Sequence, residues 1–274
     1  MLRWNFSSRA RLLSGGDAIV ISIPKSGRTW LRAFLCSYYC ERFGHEMTLE
    51  PERSGEPGIP RVIYSHDLFE YRTKGSAWDR LRGKYLIPAR ELRKSRIILC
   101  ARDPRDAFVS LYVQMTRRTR ETPNELKQKR IGELLRDPAF GIFSMVEVMN
   151  RWLQEFSGRS NFTLVRYETL RRAPADHFRE VLAALGETKV DPAAYQHALA
   201  FSDFGNMKKL ETAGAFESKI LQAGDVSDPE SFKVRRGKVG GYQEYLSATD
   251  QTYAADALRL LDPRFGYAAS ETDA

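Results

Sequence analysis

Pro24-Lys25-Ser26-Gly27-Arg28-Thr29-Trp30 directly follows the apolar run at residues 18–23 and opens an apolar-rich helical pattern. A strand that delivers the chain into a turn eased by Gly27, with a helix beyond, leaves unpaired N–H groups and a positive dipole end. A phosphate oxygen is stabilised there. Lys25 adds a mobile positive charge. The ATP-binding consensus puts its Lys after a second Gly and follows it with the Ser or Thr that holds Mg²⁺, whereas Lys25 precedes the single Gly27. The corner therefore reads as a phosphate loop without nucleoside-triphosphate chemistry.

Outward from this corner, short apolar strands alternate with longer helical segments, as a parallel sheet covered by helices requires. The strands fall at residues 18–23, 61–65, Arg96–Ala101 and Phe162–Arg166. All but the second run into helices, which begin near Gly27, Pro104 and Tyr167, and residues 140–156 make a further amphipathic helix. The expected fold is α/β in three layers: a central parallel sheet flanked by helices, with the phosphate loop after the first strand. A chain of 274 residues fits one such domain, spanning 1–274. Residues 117–130 are almost continuously polar and read as a mobile loop or a solvated helix. Residues 213–236, punctuated by Gly214, Gly224 and Pro229, read as a second loop.

A second strand-to-helix corner follows Ala101. Its residues Arg102-Asp103-Pro104-Arg105-Asp106 place Pro104 in the first helical turn, and Ala107, Phe108, Leu111, Tyr112 and Met115 form an apolar stripe. Between the corners, Arg61-Val62-Ile63-Tyr64-Ser65-His66-Asp67 ends with His66 at the edge of the sheet where open α/β folds gather ligands. Farther on stand Phe162-Thr163-Leu164-Val165-Arg166-Tyr167-Glu168-Thr169-Leu170 and the basic, Gly-bearing Arg235-Arg236-Gly237-Lys238.

These motifs, taken in chain order, resemble the sulfotransferases that use 3′-phosphoadenosine 5′-phosphosulfate (PAPS). The family's phosphosulfate loop reads Pro-Lys-Ser-Gly-Thr-Thr-Trp, so Arg28 is the one departure. The resemblance implies that Lys25, Ser26, Gly27, Arg28, Thr29 and Trp30 hold the 5′ end of PAPS. Arg102 and Ser110, eight residues apart, would hold its 3′-phosphate with Arg235, Arg236 and Gly237. Tyr167 and Trp30 would contact the adenine, and Phe204 would cover the cofactor. It also implies a catalytic set of Lys25, His66 and Ser110, with His66 taking the acceptor proton. The Lys that precedes this His in the family is replaced by Tyr64. Asp67 either orients His66 or is itself the base, since a carboxylate serves in other branches. The implied reaction moves a sulfuryl group to a hydroxyl or amine by in-line displacement and releases adenosine 3′,5′-bisphosphate.

Composition bounds the alternatives. The 43 Lys and Arg against 35 Asp and Glu give a net charge of +8, which favours an anionic partner. Nucleic acid falls behind, because basic and aromatic residues do not interleave and no RNA-binding or zinc-finger signature occurs. Cys36, Cys40 and Cys100 are too few for a disulfide framework and read as core, and four His offer no metal site. No stretch reaches the length of a transmembrane span, which points to a cytoplasmic protein. Two rivals remain: a nucleotide-dependent small-molecule kinase with a divergent phosphate loop, and a non-catalytic anion-binding module. The acceptor, a small molecule, lipid or glycan, would meet the segments at 44–60, 69–86 and 121–142.

Overall fold

The computed structural model describes residues 3–50, 57–119, 122–216, 218–225 and 227–267. Parts of the expected acceptor segments and loops, at residues 51–56, Arg120, Glu121, Glu217 and Val226, lie outside them.

Four strands, β1 (Ala18–Ile21), β2 (Val62–Ser65), β3 (Arg96–Ala101) and β4 (Phe162–Arg166), form one sheet in the order β2-β1-β3-β4. Every pairing is parallel, with Ala18 opposite both Val62 and Arg96, and Ala101 opposite Arg166. The strands are short and nearly all apolar because both faces are covered. Ile19, Ile21, Ile97 and Leu99 join one core with Phe108, Met145, Trp152 and Phe156. Ala18, Val20, Ile98 and Cys100 join another with Phe34, Tyr38, Phe178 and Tyr195. Alternate side chains of one strand thus feed opposite layers, the arrangement a three-layer sandwich demands.

Helix α1 (Arg28–Phe43) leaves the loop after β1 and buries Leu31, Phe34, Leu35 and Tyr38. Phe34 stacks on Phe178, with ring centroids 3.9 Å apart. Each such side chain contributes about 1.5–3 kcal/mol by leaving water, so the phosphate loop is mounted on a firmly held helix. The thiols of Cys36, Cys40 and Cys100 are buried, in keeping with a packing role.

The second strand, expected to lead into no helix, is followed by α2 (Asp67–Thr73). Helix α3 (Pro104–Val113) carries Pro104 in its first turn and is capped by the Asp103 carboxylate, which accepts from the Arg105 N–H at 2.9 Å. Helix α4 (Ile142–Phe156) begins two residues later than its apolar pattern suggests, behind Gly141. From β1 the chain crosses to β2 on one side and returns to β3 on the other. The loops after β1 and β3 therefore flank the crevice at the strands' carboxyl ends, the place where this topology opens a ligand site.

Candidate active site

The loop after β1 holds two left-handed residues, Lys25 at φ 69° and Gly27 at φ 88°. A Cβ on Gly27 would lie 2.6 Å from Cδ2 of Tyr167, so this turn must be glycine both for its dihedral and for its neighbour. Lys25, Gly27, Arg28, Thr29 and Trp30 line one cavity of about 690 Å³. Ser26 does not: its hydroxyl turns inward and donates to the Ile23 carbonyl at 3.1 Å. Among the residues expected at the 5′ end of the donor, Ser26 thus has its hydroxyl committed to the tight turn.

Arg102 links three segments. Its Nη1 donates to the Lys25 carbonyl at 3.0 Å, its Nη2 to the Lys238 carbonyl at 3.3 Å, and its guanidinium lies 4.5 Å from the Tyr167 ring centroid. The buried Arg102 Nε has no hydrogen-bond partner among the described residues. Ser110, Tyr167, Phe204, Arg235, Arg236 and Gly237 line the same cavity. Arg235 and Arg236 are neighbours whose mutual repulsion an anion has to offset. Glu230 already does so, accepting from Arg235 at 2.6 Å and from Arg236 at 3.2 Å, while Glu244 takes a second bond from Arg236 at 2.8 Å. Trp30 meets Tyr167 edge-on at 5.8 Å and donates its Nε1–H to the Ser202 carbonyl at 2.8 Å. Ser202 is therefore a brace for Trp30.

His66 stands at the exit of β2 and its protonation is legible from its partners. Nδ1 lies 2.7 Å from the Ser22 carbonyl, so it carries the proton and donates. Nε2 lies 2.6 Å from Arg28 Nη2, which can only donate, so Nε2 keeps its lone pair. Burial, with Arg28, Lys74 and Lys25 nearby, holds the imidazole well below its ordinary pKa, so it is neutral at physiological pH. Asp67 plays no part in this. Its fully buried carboxylate accepts from Arg3 Nη1 at 2.7 and 2.8 Å, from the Ile87 N–H at 2.9 Å and from Trp152 Nε1 at 2.9 Å, and it lines no part of the cavity. The geometry makes Asp67 a structural node and removes it as orienter or base. Tyr64, in the family's Lys position, also faces away, 4.0 Å beneath the Arg32 guanidinium.

Several contributors were not foreseen. Lys25 is held well below the ordinary lysine pKa, first by burial and then by Arg118, Lys233, Arg102 and Arg235. Burial and Arg118 push Lys233 down to about 8, with Glu211 opposing. Arg118 belongs to the polar run read as loop or solvated helix. There the chain extends α3 by a π-type turn at Gln114–Arg118, which aims Arg118 into the cavity. A cluster of partly buried cations with raised electrostatic cost is matched to a polyanion. Beyond His66 the lining turns apolar, with Phe69, Met115, Pro123, Leu126 and Phe140 beside Glu70 and Lys74. The described residues hold no cluster of His, Cys, Asp or Glu fit for a metal, and no helix among them is long and apolar enough to cross a membrane.

Known proteins share this architecture. A mouse sulfotransferase complexed with PAP superposes with a TM-score of 0.59 at 19% identity, over 89% of this chain and 82% of that one. Retinol dehydratase in complex with retinol and PAP gives 0.60 at 14% identity, over 92% and 83%. Cytosolic sulfotransferase 13 of Arabidopsis thaliana is 23% identical over 251 residues, covering 84% of this chain and 72% of its own length. The 3-beta-hydroxysteroid sulfotransferase of Cavia porcellus is 24% identical over 238 residues, covering 86% and 80%. The sulfotransferase domain itself is matched from residue 16 to residue 259, and the chain belongs to that family.

Proposed function

We propose that the protein transfers a sulfuryl group from PAPS to a hydroxyl or amine of a small, largely apolar acceptor. The observation that carries this reading is the single cavity in which the phosphate loop, the Arg102–Ser110 corner and a neutral His66 meet. The residues present fit the donor: Arg102 Nε is a buried donor without a partner among the described residues, and Gly27 and Gly237 let their loops pass close against Tyr167 and Phe204, the rings that frame the base. Arg102 and Ser110, with Arg235, Arg236 and Gly237, would hold the 3′-phosphate, while Tyr167, Trp30 and Phe204 frame a planar base.

Lys25 and the N–H groups at the start of α1 face the place where charge grows on the 5′-phosphate as the bond from sulfur to the bridging oxygen breaks. His66 Nε2 takes the acceptor proton, and the Ser22 carbonyl holds the tautomer that makes this possible. Ser110 lies on the cavity wall and would complete the phosphate cradle. The apolar half, with Phe69, Met115 and Phe140, suits an apolar alcohol or phenol better than a glycan. Three buried cysteines with a packing role suit the reducing cytoplasm.

Ligand selectivity tests the reading. Adenosine 3′,5′-bisphosphate should raise the melting temperature more than adenosine 5′-monophosphate or ATP at equal concentration, because only the native state binds it. A preference for ATP that requires Mg²⁺ would favour the kinase instead, and steeply salt-sensitive binding of any polyanion would favour the binding module.

A further inference from the structure

Arg28 is placed unlike a phosphate-cradle residue. It starts α1, yet its guanidinium reaches His66, with Nη2 2.6 Å from Nε2. The other terminal nitrogen, Nη1, is buried and has no hydrogen-bond partner among the described residues, although Arg28 lines the cavity. Nearby stand Arg32 on its own helix, Lys25 on the preceding loop, Tyr64 on β2, Glu70 and Lys74 on α2, and Cys100 on β3. Glu70, the one carboxylate among them, is engaged by Arg9 at 3.2 Å and Lys74 at 2.8 Å. A buried cation in that position is matched to an anion it has yet to meet.

The bond to His66 raises a chemical requirement. The imidazole has one lone pair, and Arg28 occupies it, while Nδ1–H is committed to the Ser22 carbonyl. In the transfer step the acceptor oxygen forms a bond to sulfur, and the bond from sulfur to the bridging phosphate oxygen breaks with its electron pair left on the phosphate. The acceptor proton needs the Nε2 lone pair, so Arg28 has to leave it first.

We infer that Arg28 is a latch on the base: it caps His66 Nε2 until the sulfuryl group of PAPS draws its guanidinium away. This rests on the sulfuryl-transfer reading. Nη1 and Nη2 then present a fork to two sulfuryl oxygens, a geometry a guanidinium fits and a lysine does not. Donor binding and release of the base become one event, so the imidazole is free only when there is a group to transfer. The 3′,5′-bisphosphate lacks the sulfuryl group and leaves the latch closed.

Two measurements test this. In protein with ¹⁵N-labelled histidine, the resonances assigned with His66→Gln, PAPS should shift the His66 Nε2 signal towards that of an uncapped imidazole, whereas the bisphosphate should leave it nearly unmoved. In Arg28→Gln and Arg28→Met, the latter keeping an apolar stem, the dissociation constant for PAPS should rise about tenfold or more while that for the bisphosphate changes less than about threefold. The imidazole should titrate at higher pH in both variants, having lost its nearest cation. An equal Nε2 shift with both nucleotides, or equal weakening of both in the variants, would overturn the latch and return Arg28 to the phosphate cradle. Folded wild-type protein that binds neither nucleotide would instead remove the donor reading, and the latch with it. The wild-type spectra decide the matter even if both variants fail to fold.

Discussion

His66 and Asp67 are neighbours with opposite duties, and their surroundings separate them. His66 faces the cavity with a lone pair on Nε2. Asp67, at φ 38°, is held by four donor contacts from Arg3, Ile87 and Trp152. A positive φ outside glycine is held most firmly when the surroundings over-determine it, and these partners do. His66→Ala should therefore abolish acceptor-dependent turnover with little change in bisphosphate affinity. Asp67→Asn should lower unfolding free energy by about 1–3 kcal/mol, because Arg3 loses the fully buried one of its two carboxylate partners and keeps only Glu155. Urea titration and turnover, measured together on both variants, decide it. An Asp67→Asn enzyme of normal stability and no turnover would restore the carboxylate as base.

At the scale of elements, the strands were legible because each is a short apolar run bounded by Gly, Pro or charge, and the sandwich follows from their alternation with helices. Helix α2 was not. Asp-Leu-Phe-Glu-Tyr-Arg-Thr is seven residues with no room for a repeating stripe, and its start depends on Arg3 and Trp152, which are remote in sequence. Arg118 was legible as a charge but not as a wall of the site, since its direction comes from a π-type turn that sequence spacing does not announce. The loop carrying Arg235-Arg236-Gly237 is legible through its resemblance to the family's basic motif, whereas the pairing of its arginines with Glu230 and Glu244 requires the fold. Gly237 is the point where that loop passes Phe204: φ is 59°, and an added Cβ would lie 2.7 Å from Cε2 of the ring. Gly237→Ala should cost about 1–2 kcal/mol of stability for the left-handed dihedral alone and should weaken bisphosphate binding by displacing Phe204 or the loop. Calorimetric unfolding and titration calorimetry measure both, and unchanged affinity would detach this loop from the nucleotide.

Across the whole molecule, the net charge of +8 is not spread evenly, for Lys25, Arg102, Arg118, Lys233 and Arg235 influence one another around a single cavity. Burial and mutual repulsion lower the pKa of the two lysines, so the ligand-free fold carries an electrostatic cost that an anion relieves. The sign of the pH dependence follows. Lys233 titrates at about 8 in the fold, against 10.5 for an ordinary lysine, so between those values the unfolded chain binds more protons. Ligand-free stability should therefore rise with pH across that window. Binding runs the other way: a bound bisphosphate favours the charged ammonium, so above about pH 8 the protein must take up protons as it binds. Affinity for the bisphosphate should then fall as pH rises from 8 to 9, by up to about tenfold per pH unit for each lysine recharged. Titration calorimetry in two buffers of different ionisation enthalpy reads proton uptake and affinity at once. Constant affinity from pH 7 to 9 with no proton uptake would show that neither Lys25 nor Lys233 faces the phosphates, and the cationic cluster would need another purpose.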